Sequence, residues 1–322
     1  MRFNQIYLFL LAPLFLFSKE ASHGKVPHHF QVEADWVYFR LSESGNLCLT
    51  KKDSTSSHES CVIDTDDIVN RFRYKSGLRL GISILPNLDH TFEARFTGFL
   101  KWDAGKGVSS DGDLYFPTNP NETVDYIDAD NANVRYRSNL DTGELNYWRH
   151  VTPRRINYFS VSWVAGLRFI EIDEKVRVRF MKDLQKSNYR AKTWNHMFGL
   201  QFGGDFIGSP VKWFNWGLGG KVALLGNKGE QNSKMKDEGD TITLRNFKHD
   251  AFNLGWCGEF APFIFLRPSE RLLFQFRYEV FFVSNVASAP TQLGTKGYLG
   301  NVVKNNSDML YHGGVAGIGF DF

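Results

Sequence analysis

Apolar and polar side chains alternate with a period of two along most of this chain, and no helical stripe longer than two turns interrupts them. From Tyr74 to Ile84, Tyr74, Leu78, Leu80, Ile82 and Ile84 share one face, and Arg73, Lys75, Arg79 and Ser83 share the other. The next run sets Phe92, Ala94, Phe96, Gly98, Leu100 and Trp102 against Glu93, Arg95, Thr97 and Lys101, after a tight turn at Pro86-Asn87-Leu88-Asp89. The pattern returns from Phe159 to Phe169, Trp194 to Phe202, Phe214 to Leu224, Phe252 to Phe260 and Leu272 to Phe282. Each run is about as long as a tilted membrane strand, roughly 9 to 11 residues.

Two runs are less regular. From Phe30 to Arg40, Val37 and Phe39 oppose Trp36 and Tyr38, so both faces carry apolar groups. A further run sets Val134 and Tyr136 outward and then Leu145 and Tyr147 outward, a change of parity that predicts a β-bulge near Asp141-Thr142-Gly143. Short connections near Pro86, Pro153, Pro210 and Pro268 alternate with long polar ones over 41–72, 103–131, 173–189, 226–249 and 285–308. This alternation predicts an all-β protein, an antiparallel up-and-down transmembrane β-barrel of about ten strands. The count becomes twelve if 173–189 supplies two more. Otherwise Val176, Val178 and Phe180, alternating with Arg177 and Arg179, extend a hairpin beyond the membrane.

The two ends agree with a barrel. A basic start at Arg2, an apolar run to Phe17 and a polar break at Ser18-Lys19-Glu20 predict a signal peptide over 1–21, leaving 22–322 as the barrel domain. Export to a bacterial cell outer membrane, with cleavage of that peptide, is the localisation this implies. The chain closes on Ala316, Ile318, Phe320 and Phe322 in alternation, and the terminal aromatic resembles the signal read by the barrel assembly machinery, with Phe320 and Phe322 as its carriers.

Composition narrows the picture only a little. A mean hydropathy of −0.32 argues against a helical membrane protein and not against a barrel, which faces lipid with every second residue. A net charge of +3 is too small to imply nucleic acid or an anionic membrane surface as partner. In an oxidising compartment Cys48 and Cys61, both in the first long segment, are expected to form a disulfide, which leaves Cys257 as a buried or lumen-facing thiol inside a strand.

Several segments resemble a family of outer-membrane β-barrel porins known mainly from planctomycetes and met also in chlamydia-like bacteria, β-barrel porin family seven. They are Ser76-Gly77-Leu78-Arg79-Leu80-Gly81, Tyr136 to Leu140 with Glu144-Leu145-Asn146, Ala165 to Phe169 with Asp173-Glu174, Asn195 to Gly203, and Val286 to Gln292. The resemblance implies a barrel and a porin, and it carries over no substrate or catalytic residue.

Parity places Arg73, Lys75, Arg79, Arg95, Lys101, Arg135, Arg137, Arg168, Lys221 and Arg277 in the lumen, opposed by Glu93, Glu144, Asp205, Glu259 and Glu279. Two readings follow from this positive excess. One is a porin-like pore passing small solutes by passive diffusion, with a preference for anions. The other is an ion-pair network filling a narrow barrel, which would leave a structural or adhesive surface protein. An enzyme ranks third: His249, Asp250, Asp64, Asp66 and Asp67 sit where omptin-type surface proteases carry acids and a His, yet no omptin pattern accompanies them. The acids of Asp125 to Asn131, with Asp111 and Asp113, lack the Gly and terminal Glu of a calcium loop, so no metal and no cofactor is expected. The tryptophans cluster towards strand ends, as interfacial girdles would. The expected partners are outer-membrane lipid, the assembly machinery and small solutes.

Overall fold

The computed structural model describes residues 29–43, 47–53, 60–87, 89–117, 126–151, 158–293 and 303–322. The expected signal peptide and the turn at Pro153 lie outside them. Ten strands close into a ring: β1 (His29–Glu43), β4 (Lys75–Asn87), β5 (His90–Tyr115), β6 (Ala129–His150), β7 (Phe159–Lys182), β8 (Gln185–Val211), β9 (Phe214–Lys236), β10 (Thr243–Leu266), β11 (Leu272–Val286) and β12 (Ser307–Asp321). Every neighbour is antiparallel, β1 pairs with both β4 and β12, and the β5 to β6 pairing completes the circle. A short hairpin, β2 (Cys48–Lys52) and β3 (Ser60–Asp64), adds to the upper end of β5 through Lys51 opposite Tyr115.

The seam shows how the last residue seals the ring. The Phe322 amide donates to the Phe30 carbonyl at 2.8 Å, the Phe30 amide donates back at 3.3 Å, and the two rings lie 6.3 Å apart. Gly313 stands opposite Phe39 in that seam, where a Cβ would collide with the backbone carbonyl of Tyr38. Gly313→Val is therefore expected to prevent closure, read as loss of the heat-dependent mobility shift of the folded barrel in gel electrophoresis.

Outward residues form a broad apolar band. Trp36, Leu80, Phe92, Leu145, Trp163, Leu200, Phe202, Val222, Leu224, Leu254, Phe260, Phe276 and Phe320 are all exposed, an area no water-soluble monomer would leave bare. Such a band is about 25 Å tall in this architecture, so the strands differ in how far they outrun it. With about 3.3 Å rise per residue and a tilt near 40°, the 22 to 27 residues of β5 to β10 span about 55–70 Å. The 13 to 15 residues of β1, β4, β11 and β12 do little more than cross the membrane. Much of what alternation in the sequence assigned to the loops 103–131, 173–189 and 226–249 is thus barrel wall. The β7 to β8 hairpin ends in a two-residue turn, Asp183-Leu184, with both φ angles positive as a tight twisted hairpin demands.

The expected bulge is on the other strand of its pair. β6 runs against β7 without a break in register, and its even residues from Ala132 to His150 all point inward. The slip falls in β5, between Thr97 and Leu100, where Phe99 has φ 67° and the Asp141 carboxylate accepts from its amide at 3.0 Å. Below the slip the odd residues of β5 face inward, and above it the even ones do. Leu100, Trp102, Val134 and Tyr136 therefore point into the barrel, and all four are at most 1% exposed. Their hydrophobicity suggests an outward face only because the interior itself turns apolar above the membrane, so hydrophobicity changes face there.

The upper chain folds over that interior. In the segment between β1 and β4, Leu49, Ile63, Ile68, Val69 and Phe72 are buried, and Cys48 is bonded to Cys61 with their Cα atoms 5.9 Å apart. The helix α1 (Thr65–Val69) begins on a capping box in which Asp64 accepts from the Asp67 amide and Asp67 accepts from the Asp64 amide. Lys106 donates to Asp67 at 2.7 Å, and this holds the Asp67 carboxyl below its ordinary range. A carboxyl depressed in the folded state supports the fold above its unfolded value near 3.8 and loses that support as pH falls through the folded value. Protection of the amides over 65–69, taken relative to an unstructured peptide at the same pH, is expected to fall below about pH 4, and in Asp67→Ala to be low already at pH 7, since losing half of the capping box costs about 1 kcal/mol.

Candidate functional site

The lumen is layered, and the strands fix each layer through parity. At membrane depth the inner face is polar. Arg79 on β4 forks onto Glu279 on β11 with both bonds at 2.9 Å, and its Nε donates to Thr97 at 2.8 Å. Around the wall Arg168, Glu259, Lys221 and Glu144 form an alternating square. Arg168 lies 2.8 Å from Glu259 and 3.7 Å from Glu144, and Lys221 lies 2.6 Å from Glu144 and 3.7 Å from Glu259. Gln201 and Asn146 each donate to Glu144 at 3.0 Å, and Asn146 also donates to Glu93 at 2.9 Å, beside the Arg95 to Glu93 pair at 3.1 Å. Charges this deeply buried are tolerable only when paired and hydrogen-bonded, and these are.

Below this layer a cavity of about 100 Å³ opens at the end where β1 begins and β12 finishes, lined by Glu33, Glu93, Arg95, His150, Gln275 and Arg277 among others. His150 hydrogen-bonds Ser162 at 2.8 Å and Thr91 at 3.0 Å, and Arg277 donates to Gln275 at 3.1 Å with its guanidinium 5.8 Å from the Phe263 ring centre.

Above it the barrel is packed with apolar side chains. Trp102 and Phe281 both lie against Tyr311, at 5.4 and 6.0 Å between ring centres, and the Arg168 guanidinium lies 4.6 Å from the centre of the Phe281 ring. Leu140, Ile170, Ile172, Met197, Leu225, Val283 and Met309 fill the same level, and the Cys257 thiol is buried with them. Higher still, the chain after β11 enters the lumen. Asn195 donates to the Ala287 carbonyl at 3.1 Å and accepts from its amide at 2.8 Å, Glu174 accepts from the Ala289 amide at 2.9 Å, and Tyr189 donates to the Leu293 carbonyl at 3.3 Å. These bonds hold a single-turn helix, α2 (Ala289–Leu293), against the inner faces of β7 and β8.

The lumen assignments divide accordingly. Arg79, Glu93, Arg95, Arg168, Lys221, Glu259, Arg277 and Glu279 lie on the inner face, and Lys75, half-buried, starts β4 there opposite Phe39. Arg73 precedes β4 and is exposed. Lys101, Arg135 and Arg137 are on the outer wall: the slip at Phe99 turns Lys101 out, and the unbroken parity of β6 turns out the two arginines, which both bond Asp103 at 2.7 Å. Glu33 and Asp35 join the lumen instead, so the expected positive excess disappears. Trp102 and Trp148 leave the girdle for the interior. Asp64 and Asp67 cap α1, while His249 and Asp250 sit exposed within β10. Asp128 pairs with Lys182 at 3.7 Å and Asp130 accepts from the Asp183 amide at 3.1 Å; Asp125 lies outside the described residues. Asn195 and Glu174, which position the inserted segment, carried one sequence signal: polar groups at inward parity among apolar neighbours.

Among solved structures the chain is similar to the outer membrane protease OmpT from Escherichia coli, with a TM-score of 0.50 at 11% identity over 94% of this chain and 99% of that one. The fold is that of outer-membrane β-barrels. At that identity the likeness extends to the fold and not to proteolysis. Looser likenesses are to Ail, the attachment invasion locus protein of Yersinia pestis (TM-score 0.27, 9% identity, 92% and 100% covered), and to CarO of Acinetobacter baumannii (TM-score 0.25, 10% identity, 89% and 96% covered). No protein-family model and no curated protein sequence matches the chain. The resemblance to β-barrel porin family seven therefore stays with the short segments quoted above.

Proposed function

We propose that the protein is an exported bacterial outer-membrane barrel whose lumen is closed and whose work is done at the cell surface, by the tall cylinder and the segments folded over it. The observation that carries this reading is the fully packed level above the membrane, where Trp102, Tyr136, Phe281 and Tyr311 are each at most 2% exposed and α2 is bonded into the wall over them. Two further points support it. Arg79, Arg95, Arg168 and Lys221 each meet a carboxylate, which leaves these four little free charge to draw anions. The hairpins also continue far beyond the apolar band, a costly projection for a passive pore.

The second reading, a porin passing small solutes, draws on the polar layer and on the cavity that opens beneath it. Conductance separates the two. The refolded protein in a planar bilayer under a salt gradient is expected to give no discrete steps while still showing the mobility shift of a folded barrel. Steps whose ion selectivity changes in Arg79→Gln or Arg168→Gln would establish the porin instead.

A further inference from the structure

The cavity at the end where β1 begins is short of hydrogen-bond acceptors. Three donors of its lining are buried and bond nothing among the described residues: Nε of Arg95 on β5, Nε of Arg277 on β11 and the indole Nε1 of Trp148 on β6. Buried donors are ordinarily paired, so three of them around one cavity mark a place shaped for an acceptor.

The charges say what kind of acceptor. Arg95 is matched by Glu93 at 3.1 Å, and Lys221 by Glu144 at 2.6 Å. Arg277 meets no acid within ion-pair distance among the described residues, and Glu33 meets no cation. One amide stands between these two: Gln275 accepts from Nη2 of Arg277 at 3.1 Å and donates to Glu33 at 3.4 Å, and it also donates to the buried Asp35. Gln31 donates to the other oxygen of Glu33 at 3.1 Å. In formal charge the lining acids Glu33, Glu93, Asp205 and Glu259 outnumber Arg95, Lys221 and Arg277. A bare anion drawn by the free donors would meet this negative excess, so the group that satisfies them has to bring a positive charge with it. Size narrows the choice. At about 100 Å³ the cavity is smaller than the roughly 150 Å³ apolar cavity that takes up benzene, and glycine and alanine have no more heavy atoms than benzene. Phe263 and Phe265 give the lining an apolar wall for a small side chain.

We infer that this cavity binds a small zwitterion, an α-amino acid of glycine or alanine size, with its carboxylate on Arg277, Arg95 and Trp148 and its ammonium on Glu33. The cavity lies beneath the packed apolar level, so the inference holds whether or not that level blocks conduction.

The test is saturation-transfer NMR on the full chain in phosphatidylcholine nanodiscs, titrated separately with alanine, propionate and ethylamine. Alanine is expected to give saturable transfer and to bind about tenfold or more tightly than propionate, which lacks the ammonium, and ethylamine, which lacks the carboxylate. Arg277→Gln and Glu33→Gln should each weaken alanine by about tenfold or more while keeping the mobility shift of a folded barrel. If either variant fails to close, the ranking of the three ligands on the wild type still decides. Propionate binding as tightly as alanine would make this a plain anion site, ethylamine binding as tightly would make it a cation site, and either overturns the inference. So would an absence of saturable transfer to alanine, or alanine binding that is unchanged in the folded variants.

Discussion

Replacing Trp102 with alanine is expected to destabilise the barrel by about 3–5 kcal/mol, the cost of emptying a buried aromatic site. Trp102 is 1% exposed and lies against Tyr311 inside the lumen, with only β4 and β1 between their strands around the ring, so its removal leaves a hole between β5 and β12 that the rigid wall cannot close. A tryptophan facing lipid would give a different result, since acyl chains flow into the space and the loss is small. The urea midpoint of the refolded protein in vesicles measures the cost. Quenching by brominated lipid gives an independent readout: Trp102 should stay bright while Trp163 and Trp256, exposed on the outer band, are quenched. Quenching of Trp102 in step with those two would return it to the girdle and remove the apolar level from the lumen.

A comparable loss, about 3–5 kcal/mol, is expected for Glu279→Met, which strands the Arg79 guanidinium in the barrel without its fork of hydrogen bonds. Arg79→Met in the same chain should recover most of that loss, because a buried ion pair replaced on both sides by apolar groups is often neutral or stabilising. The diagnostic quantity is the coupling between the two changes and not either value alone. Additive losses would mean that water reaches both groups, and an aqueous path through that level would have to be restored.

The ring of ten strands was legible in the sequence because lipid imposes a strict rule: every outward residue within the band must be apolar, so parity can be read directly from runs such as Phe159 to Phe169. Above the band the rule lapses. Val134 and Tyr136 on β6 look outward by their hydrophobicity, yet they are the inward residues of an unbroken strand, and the true slip is at Phe99 in a run that shows no change of pattern. A backbone slip and a reversal of environment cancel in the sequence of β5, and an unslipped strand crossing the same reversal imitates a slip in β6. For the same reason Lys101, Arg135 and Arg137 were read as lumenal. The lumenal layer at membrane depth was largely legible, from Arg79 to Glu279, because those residues alternate with lipid-facing groups. The insertion of α2 left little trace, since short polar anchors such as Asn195 look like any inward residue.

The unequal heights of the wall bear on how such a chain can change over generations. Along β5 to β10 a single added residue reverses parity for the rest of its strand, driving charged side chains inward and oily ones into the medium. The two-residue turn at Asp183-Leu184 leaves no slack to absorb it. On the low side, the stretches joining β1 to β4 and β11 to β12 start and finish near the membrane surface, and extra residues there need not disturb the ring. Variation in length between related sequences is accordingly expected to gather in those two stretches, which also makes them the natural places to graft a foreign peptide for display.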